Sequence, residues 1–399
     1  METKQRRCPV SSVCGGCSFA EVDYEQQIKD KQAFVEGLFG GKIVLPIIGM
    51  DDFVGYRNKV ISPFAPEKTK SKASKKILTG MYGKGTHRLV NTDGCLLENK
   101  AANDVVVAIR DIMKKYRMEP YDEDTGEGFM RHVVVRVGHN SHEMLVTIVT
   151  AEEGFVGAKN FCKELIKRCP GVTSVIQNIN TRKTNVILGD KEKVLYGPGF
   201  ILDKLCGLSF RISSRSFYQV NATQTEVLYK TAVNAAKLTG QETLIDAYCG
   251  TGTIGLVAAA GIDNSKGAKR VIGVDSVASA IDDARLNAKH NGIANAEFVV
   301  GDATEFMKRL ASDVVSGTFD NKNAVLMMDP PRSGSTEEFL GAVVSAGISR
   351  IVYISCNPQT QLRDITYLQG HGYALESVQP VDMFPCTEHV ETVALLEAL

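Results

Sequence analysis

From about Ser209 onward the chain repeats one rhythm, an apolar strand, a glycine-bearing turn and a helix, and this feature narrows the possible folds most. Parallel strands joined by helices must be covered on both faces. The rhythm therefore predicts an α/β architecture, a mostly parallel doubly wound sheet of the Rossmann-like kind. The first repeat is the strand Thr243–Ala247, ending in Asp246-Ala247-Tyr248-Cys249-Gly250-Thr251-Gly252-Thr253-Ile254-Gly255, with a small-residue helix running through Ala260. Its glycines let the backbone come close to a ligand at the carboxyl end of the strand, where open α/β sheets bind nucleotides.

About 20 residues further on, the strand Val271–Val274 closes with Asp275, placed to accept hydrogen bonds from ribose hydroxyls. Asp302, after Phe298–Val300, sits where an adenine amino group could be read. The turn departs from the dinucleotide fingerprint, and the downstream strands lack a second nucleotide half. S-adenosylmethionine thus fits better than NAD. The bland alternative is that the glycines only pack a helix on a strand.

Two later strands end in sharper motifs. Ala324–Met328 leads into Asp329-Pro330-Pro331-Arg332-Ser333-Gly334, and Arg350–Ile354 into Ser355-Cys356-Asn357-Pro358. A methyltransferase acting on a base amino group would carry an aromatic residue after the two prolines, but position 332 is Arg. Carbon 5 of a pyrimidine needs a thiolate added at carbon 6 before it can attack a sulfonium methyl, so that chemistry requires one Cys beside the cofactor and later a base. Cys356 lies at a strand tip in that place. Backbone N–H groups of a helix starting near Gln359 are expected to lower its pKa. Glu388, His389 and Glu391 in the tail offer proton acceptors, and residue type alone does not choose among them.

Together with Ser216-Phe217-Tyr218-Gln219-Val220-Asn221 and His389-Val390-Glu391, these motifs resemble the bacterial RNA uracil-5-methyltransferase family, which makes 5-methyluridine in ribosomal and transfer RNA. The resemblance runs over nearly the whole chain. It implies that Gln219, Tyr248, Asp275 and Asp329 contact S-adenosylmethionine, with Asp302 at a further cofactor-contacting position. It also implies Cys356 as nucleophile and Glu391 as base. Thr253 departs from relatives that carry Asn there. An RNA cytosine-5 methyltransferase is the nearest rival activity, but it would show a second Cys where Pro331 stands. A non-catalytic RNA-binding or assembly protein is the rival from another class.

Ahead of the sheet, Cys8-x5-Cys14-Gly-Gly-Cys17 offers three thiolates in one loop, and Cys95 is the remaining cysteine of the amino-terminal third. Four thiolates suit zinc or an iron–sulfur cluster. Similarity in spacing to the ribosomal-RNA members of the family implies a 4Fe-4S cluster on Cys8, Cys14, Cys17 and Cys95. The loop differs from the C-x3-C-x2-C of radical enzymes, so the cluster is expected to be structural or RNA-sensing. Gly55-Tyr56-Arg57-Asn58-Lys59 and the lysines at 68, 70, 72, 75 and 76 suit phosphate contacts and stacking. Arg131-His132 and Gln177 to Asn180 occur in similar positions in relatives, on the substrate side. Many relatives begin with a small β-barrel absent here, so the chain resembles the shorter ribosomal-RNA members. That favours 23S rRNA over tRNA as substrate.

Lys plus Arg and Asp plus Glu number 46 each, so any RNA must be held by local basic patches and not by a global field. No run of about 18 apolar residues and no signal peptide is visible, which predicts a cytoplasmic protein without membrane partners, expected as a monomer. The 399 residues divide into an α+β iron–sulfur and RNA-binding unit, 1–204, and a catalytic unit, 205–399. In the first unit, helices are predicted at Tyr24–Leu38, Ala101–Lys115 and Phe161–Cys169. Strands are predicted at Val60–Phe64, Ile77–Tyr82, Met130–Val137, Met144–Thr150, Val172–Ile179 and Thr184–Leu188, and Val390–Leu396 reads as the final strand.

Overall fold

The computed structural model describes residues 8–67, 76–262 and 266–399. In chain order its elements are α1 (Tyr24–Phe39), β1 (Lys59–Pro66), β2 (Ile77–Thr79), β3 (Met81–Tyr82), β4 (Leu89–Val90), α2 (Lys100–Tyr116), β5 (Met130–Val137), β6 (Met144–Thr150), α3 (Ala158–Arg168), β7 (Val172–Ile179), β8 (Lys191–Tyr196), β9 (Phe200–Leu205) and β10 (Leu208–Ser213). They continue with α4 (Ala222–Ala235), β11 (Thr243–Ala247), α5 (Thr253–Ala260), β12 (Arg270–Asp275), α6 (Ala278–His290), β13 (Ala296–Val300), α7 (Ala303–Val315), β14 (Ala324–Met328), α8 (Glu337–Ser345), β15 (Arg350–Ser355), α9 (Pro358–Gln369), β16 (Tyr373–Val381) and β17 (Glu391–Ala398).

Alternation along the later strands sorts apolar side chains into two cores. Leu244, Val325, Met327, Val352 and Ile354 join one cluster with α4, α5 and α6. Ile245, Leu326, Met328, Ile351 and Tyr353 join the other with α7, α8 and α9. Successive residues of a strand point to opposite faces, so a run apolar at every position needs cover on both sides. The sheet has the order β13-β12-β11-β14-β15-β17-β16. Its first five strands are parallel, and β17 runs antiparallel to both of its neighbours, β15 and β16. The direction of winding switches between β11 and β14, and the crevice outside their carboxyl ends is where such sheets take ligands.

The earlier strands form a second sheet of order β2-β1-β5-β6-β7-β8. One face packs on α2 and α3 through Val133, Val135, Ile109, Phe161 and their neighbours. The hairpin of β9 and β10 contributes Ile201, Leu205, Phe210 and Ile212 to the core of the seven-stranded sheet. The 204/205 division read from sequence falls within β9. Helix α1 precedes it by far yet places Val35 in the core beneath α8 and α9, and Leu45 donates its N–H to the Val378 carbonyl at the sheet's edge.

Two predicted strands differ in detail. Ile77–Tyr82 breaks at Gly80, whose φ of +144° brings the chain so close to strand β4 that a Cβ there would lie 2.0 Å from the Val90 carbonyl oxygen. Thr184–Leu188 is a loop, and the strand that pairs with β7 is Lys191–Tyr196. The Asn180 amide donates to the carbonyls of Val186 and Ile187, and the Asn178 amide to that of Gly189, so side chains take the place of a ladder. Of the predicted lysine-rich loop, residues 68–75 lie outside the described residues. Among the described residues no helix is long and apolar enough to cross a membrane.

Lys31 on α1 and Asp382 after β16 form an ion pair at 2.6 Å with both side chains almost fully buried. Lys31 also donates to the Phe384 carbonyl, and the Tyr24 hydroxyl donates to the other Asp382 oxygen. Removing one member of a buried pair strands the other charge. Lys31→Met should therefore cost about 3–5 kcal/mol in urea unfolding, while Lys31→Met with Asp382→Leu should recover most of it; equal loss in both would show the pair to be unimportant.

Candidate active site and cysteine-lined cavity

Strand β11 delivers the glycine-bearing turn to the sheet's carboxyl edge. Asp246, 1% exposed, accepts the Gly255 N–H at 2.9 Å, which locks the first turn of α5. A Cβ at Gly255 would sit 2.7 Å from that carboxylate and one at Gly252 2.7 Å from the Phe298 ring, so helix and strand meet at backbone distance. Between them Tyr248 adopts a φ of +64°, a costly conformation for a side chain that large, and its ring turns toward Phe339 at 5.4 Å. The Tyr248 hydroxyl lies 3.4 Å from Ser335 Oγ.

Asp275 ends β12, accepting the Gly250 N–H on one carboxylate oxygen and the Val277 N–H on the other. Each oxygen keeps a second lone pair. The residue lines a cavity of about 550 Å³ together with Gly250, Ser216, Phe217 and Arg215. Asp302 is exposed and caps α7 by accepting the N–H groups of Thr304 and Glu305. Its charge reaches the Tyr248 phenol. Gln219 is half-buried on the segment between β10 and α4, where its carbonyl accepts from the Asn58 amide at 3.1 Å.

Asp329, Cys356 and Glu391 come from β14, β15 and β17, three neighbouring strands, and so converge on one place. Burial raises the Asp329 carboxyl to about 7. Burial and then the Asp329 charge raise Glu391 to about 8. Asp246 is pushed up to about 7 by burial, opposed by the Gly255 N–H and reinforced by Asp329 and Asp275. The Cys356 thiol is pushed up to about 11 by burial and then by Glu391 and Asp329, while the Arg332 guanidinium pulls it down. The expectation that the helix start would lower this thiol is therefore corrected, because desolvation and two acidic neighbours outweigh the N–H groups of α9. Asn357 caps that helix and donates its side-chain amide to the Arg332 carbonyl, tying the two motif loops together. Arg332 in turn meets His389 at 3.2 Å through Nη2 and Nδ1.

The segment Gly55 to Lys59 docks on the same edge. Asn58 donates its backbone N–H to the Val220 carbonyl, and the Tyr56 hydroxyl donates to that of Pro385. Arg57 and Lys59 face a cavity of about 170 Å³ lined by Cys8, Cys14, Cys17 and Cys95. The Cys17 thiol is raised to about 12 by burial and by the charges of the thiols around it, Cys386 foremost. Cys95 is raised chiefly by burial as well. Four sulfur donors with two cations beside them suit a thiolate-ligated metal centre in donor type. Among the described residues no three His, Cys, Asp or Glu side chains stand in ligating geometry.

Sequence reasoning missed several members of the site. Asp246 was read only as part of the turn, although a carboxylate in an apolar strand signals a buried group that needs a donor. Cys386, Arg332 paired to His389, and the docking of Tyr56 on Pro385 depend on long-range packing and left no local signal. Glu388 is exposed and donates its N–H to Ser18 Oγ, whereas Glu391 is 4% exposed beside Cys356, so the structure separates the two carboxylates.

Residues 183–399 match the family model described as tRNA (uracil-5-)-methyltransferase. The chain is 40% identical over 396 residues to an uncharacterised RNA methyltransferase of Halalkalibacterium halodurans, covering 98% of this chain and 82% of that protein. It is 41% identical over 395 residues to another from Listeria monocytogenes, covering 98% and 83%. The solved structure of Pyrococcus abyssi tRNA (uracil-54, C5)-methyltransferase with S-adenosyl-L-homocysteine superposes with a TM-score of 0.76 at 25% identity, over 97% of this chain and 86% of that one.

Asp246, Asp329 and Glu391 hold protons in the folded chain at pH values where an unfolded chain has released them. Their contribution is present below about pH 4 and is lost as pH rises toward 8. Urea unfolding at pH 5, 6.5 and 8 should show stability falling across this window and Glu391→Gln flattening the slope; an unchanged slope would contradict the raised carboxyl.

Proposed function

The chain belongs to the RNA (uracil-5-)-methyltransferase family, and from that premise we propose that it methylates carbon 5 of a specific uridine through a covalent bond between Cys356 and carbon 6. Membership makes it an RNA methyltransferase that uses S-adenosylmethionine. The observation that carries the mechanism is the meeting of Cys356, Glu391 and Asp329 at the carboxyl edge, where each acidic group acts on the thiol. The donor set fits the cofactor, because Tyr248 presents a ring, Asp275 free lone pairs toward hydroxyls, and Asp329 a carboxylate for a cation. Gln219 and Asp302 complete the proposed contacts.

S-adenosylmethionine supplies, when bound, the methyl group and a positive sulfur whose field favours ionised groups nearby. Cys356 gives up its proton to solvent and the thiolate adds to carbon 6, which breaks the π bond between carbons 5 and 6 and moves its electron pair toward carbon 5 and the carbon 4 carbonyl. Arg332 stabilises the thiolate before addition. Once carbon 5 carries the methyl, Glu391 takes its proton; the carbon–sulfur bond then breaks and restores the ring. A carboxyl poised near 8 is a stronger base than an ordinary one once ionised, which suits a carbon-bound proton. Both faces of the ring are needed, so the uridine must leave its stack.

Cys8, Cys14, Cys17 and Cys95 are proposed to hold a 4Fe-4S cluster that is structural or RNA-sensing and takes no part in methyl transfer. The four thiols around one cavity support it. The favoured RNA is 23S rRNA, on the similarity of the cysteine spacing to ribosomal-RNA members. A tRNA reading is favoured instead by the likeness to the Pyrococcus tRNA enzyme.

Unmodified rRNA and tRNA offered with labelled S-adenosylmethionine should yield 5-methyluridine in 23S rRNA, and Cys356→Ala should lower transfer at least about a thousand-fold. Label in tRNA alone would select the second reading. Glu391→Gln should accumulate a protein–RNA adduct stable to denaturant, since the step it blocks follows bond formation. Transfer undiminished in Cys356→Ala, or a 5-fluorouridine crosslink on another residue, would remove the mechanism. Anaerobic protein should contain iron and sulfide; zinc in their place would remove the cluster.

A further inference from the structure

Strand β5 carries a bulge where Met130 pairs with Thr150 and His132 with Val149, leaving Arg131 as the extra residue. A bulge turns side chains that would alternate toward one face. Met130 and Val133 stay in the core against α2 and α3, while Arg131 and His132 both line a cavity of about 740 Å³ on the opposite side. Arg131 is 4% and His132 7% exposed, yet Arg131 Nε and His132 Nδ1 have no hydrogen-bond partner among the described residues. Buried polar nitrogens in that state are costly unless something else meets them.

The walls are flat and aromatic. The Arg131 guanidinium lies 4.4 Å over the Tyr121 ring, held there because Nη1 donates to the carbonyls of Asn180 and Arg182. Tyr82 meets His87 edge to face at 5.9 Å, and its hydroxyl donates to Glu123 on the rim. Burial and the Arg131 charge push His132 down to about 4, so its imidazole is neutral and offers one donor and one acceptor. The size is that of a small-ligand pocket, and the acidic rim disfavours phosphate. Carboxylates accept from exocyclic amino groups, which adenine, guanine and cytosine carry and uracil lacks.

The place is also informative. His132, Val134 and Arg136 alternate along the face of β5 turned away from the core against α2 and α3, and Arg136 donates to the carbonyls of Ser214 and Ser216, next to Phe217 and Gln219. From His132 to Arg136 the strand advances roughly 14 Å, a few nucleotides' reach between the cavity and the segment that carries Gln219.

We propose that this cavity is a second base pocket, which takes an unpaired, amino-bearing nucleobase of the RNA near the target uridine, stacked on Tyr82 or Tyr121 and read by His132, Arg131 and Glu123. The proposal rests on the RNA reading above and deepens it. Base-on-aromatic stacking is tolerant of sequence, while the carboxylate and imidazole supply the choice of base.

Two measurements test it with the full-length protein. In methyl transfer to the RNA that the wild type modifies, Tyr82→Ala and His132→Ala should raise the RNA KM roughly ten-fold, leaving kcat and the S-adenosylmethionine KM within about two-fold. Tyr82→Phe should restore the wild-type value. In binding, a decamer of uridine with one 2-aminopurine should be quenched and held more tightly than all-uridine, and Tyr82→Ala should abolish the difference. An unchanged RNA KM in both variants, or equal affinity for the two decamers, would overturn the pocket. Absence of transfer by the wild type would instead count against the uridine reading, and the decamers would still decide the pocket.

Discussion

Desolvated negative charge at one sheet edge is the constraint on which the site depends. Asp246, Asp329, Cys356 and Glu391 reach that edge from β11, β14, β15 and β17, and burial is the first cause of the upward shift in every one of them. Each ionised member discourages the next, so the edge stores protons and favours a cationic visitor. A sulfonium cofactor is such a visitor. Arg332, held against His389, is the protein's own counterweight to the thiol's acidic neighbours.

A second dependence links the two ends of the chain. The Phe19 N–H donates to the Cys386 carbonyl, the Cys386 N–H to Gln27 Oε1, and the Glu388 N–H to Ser18 Oγ. These bonds, with the Lys31–Asp382 pair, sew the cysteine loop and α1 onto the connection between β16 and β17. That connection carries His389 and leads into Glu391. The cysteine loop and the strand that carries the proposed base are therefore joined through one connection. A cluster with no electronic part in methyl transfer would still matter through these contacts.

Periodicity made most of the fold legible. Tyr24–Phe39 and Lys100–Tyr116 appear within a residue or two of their predicted bounds, and Met130–Val137, Met144–Thr150 and Val172–Ile179 coincide with them. Helix α9 starts at Pro358, one residue before the Gln359 expected, with Asn357 as its cap and proline in its first turn. Thr184–Leu188 read as a strand because its residues are strand-formers, but Asn180 claims the carbonyls of Val186 and Ile187, and Asn178 that of Gly189 just beyond. The lowered thiol expected for Cys356 weighed a local helix start and could not weigh Glu391, 35 residues away in the chain.

The order of residues alone determined the parallel sheet, its ligand edge, and the placing of Asp275, Asp329 and Cys356 at strand ends there, because strand ends and turns are set by neighbours in sequence; Glu391 was singled out from Glu388 and His389 only by resemblance to the family. Only the tertiary structure decided the raised proton affinities of Asp329, Cys356 and Glu391, the pairing of Arg332 with His389, the seat of α1 on the second half, and the cavity at the β5 bulge. Those follow from burial and from contacts between distant segments. Dielectric and proximity are properties of the packed chain, and no short stretch of sequence holds them.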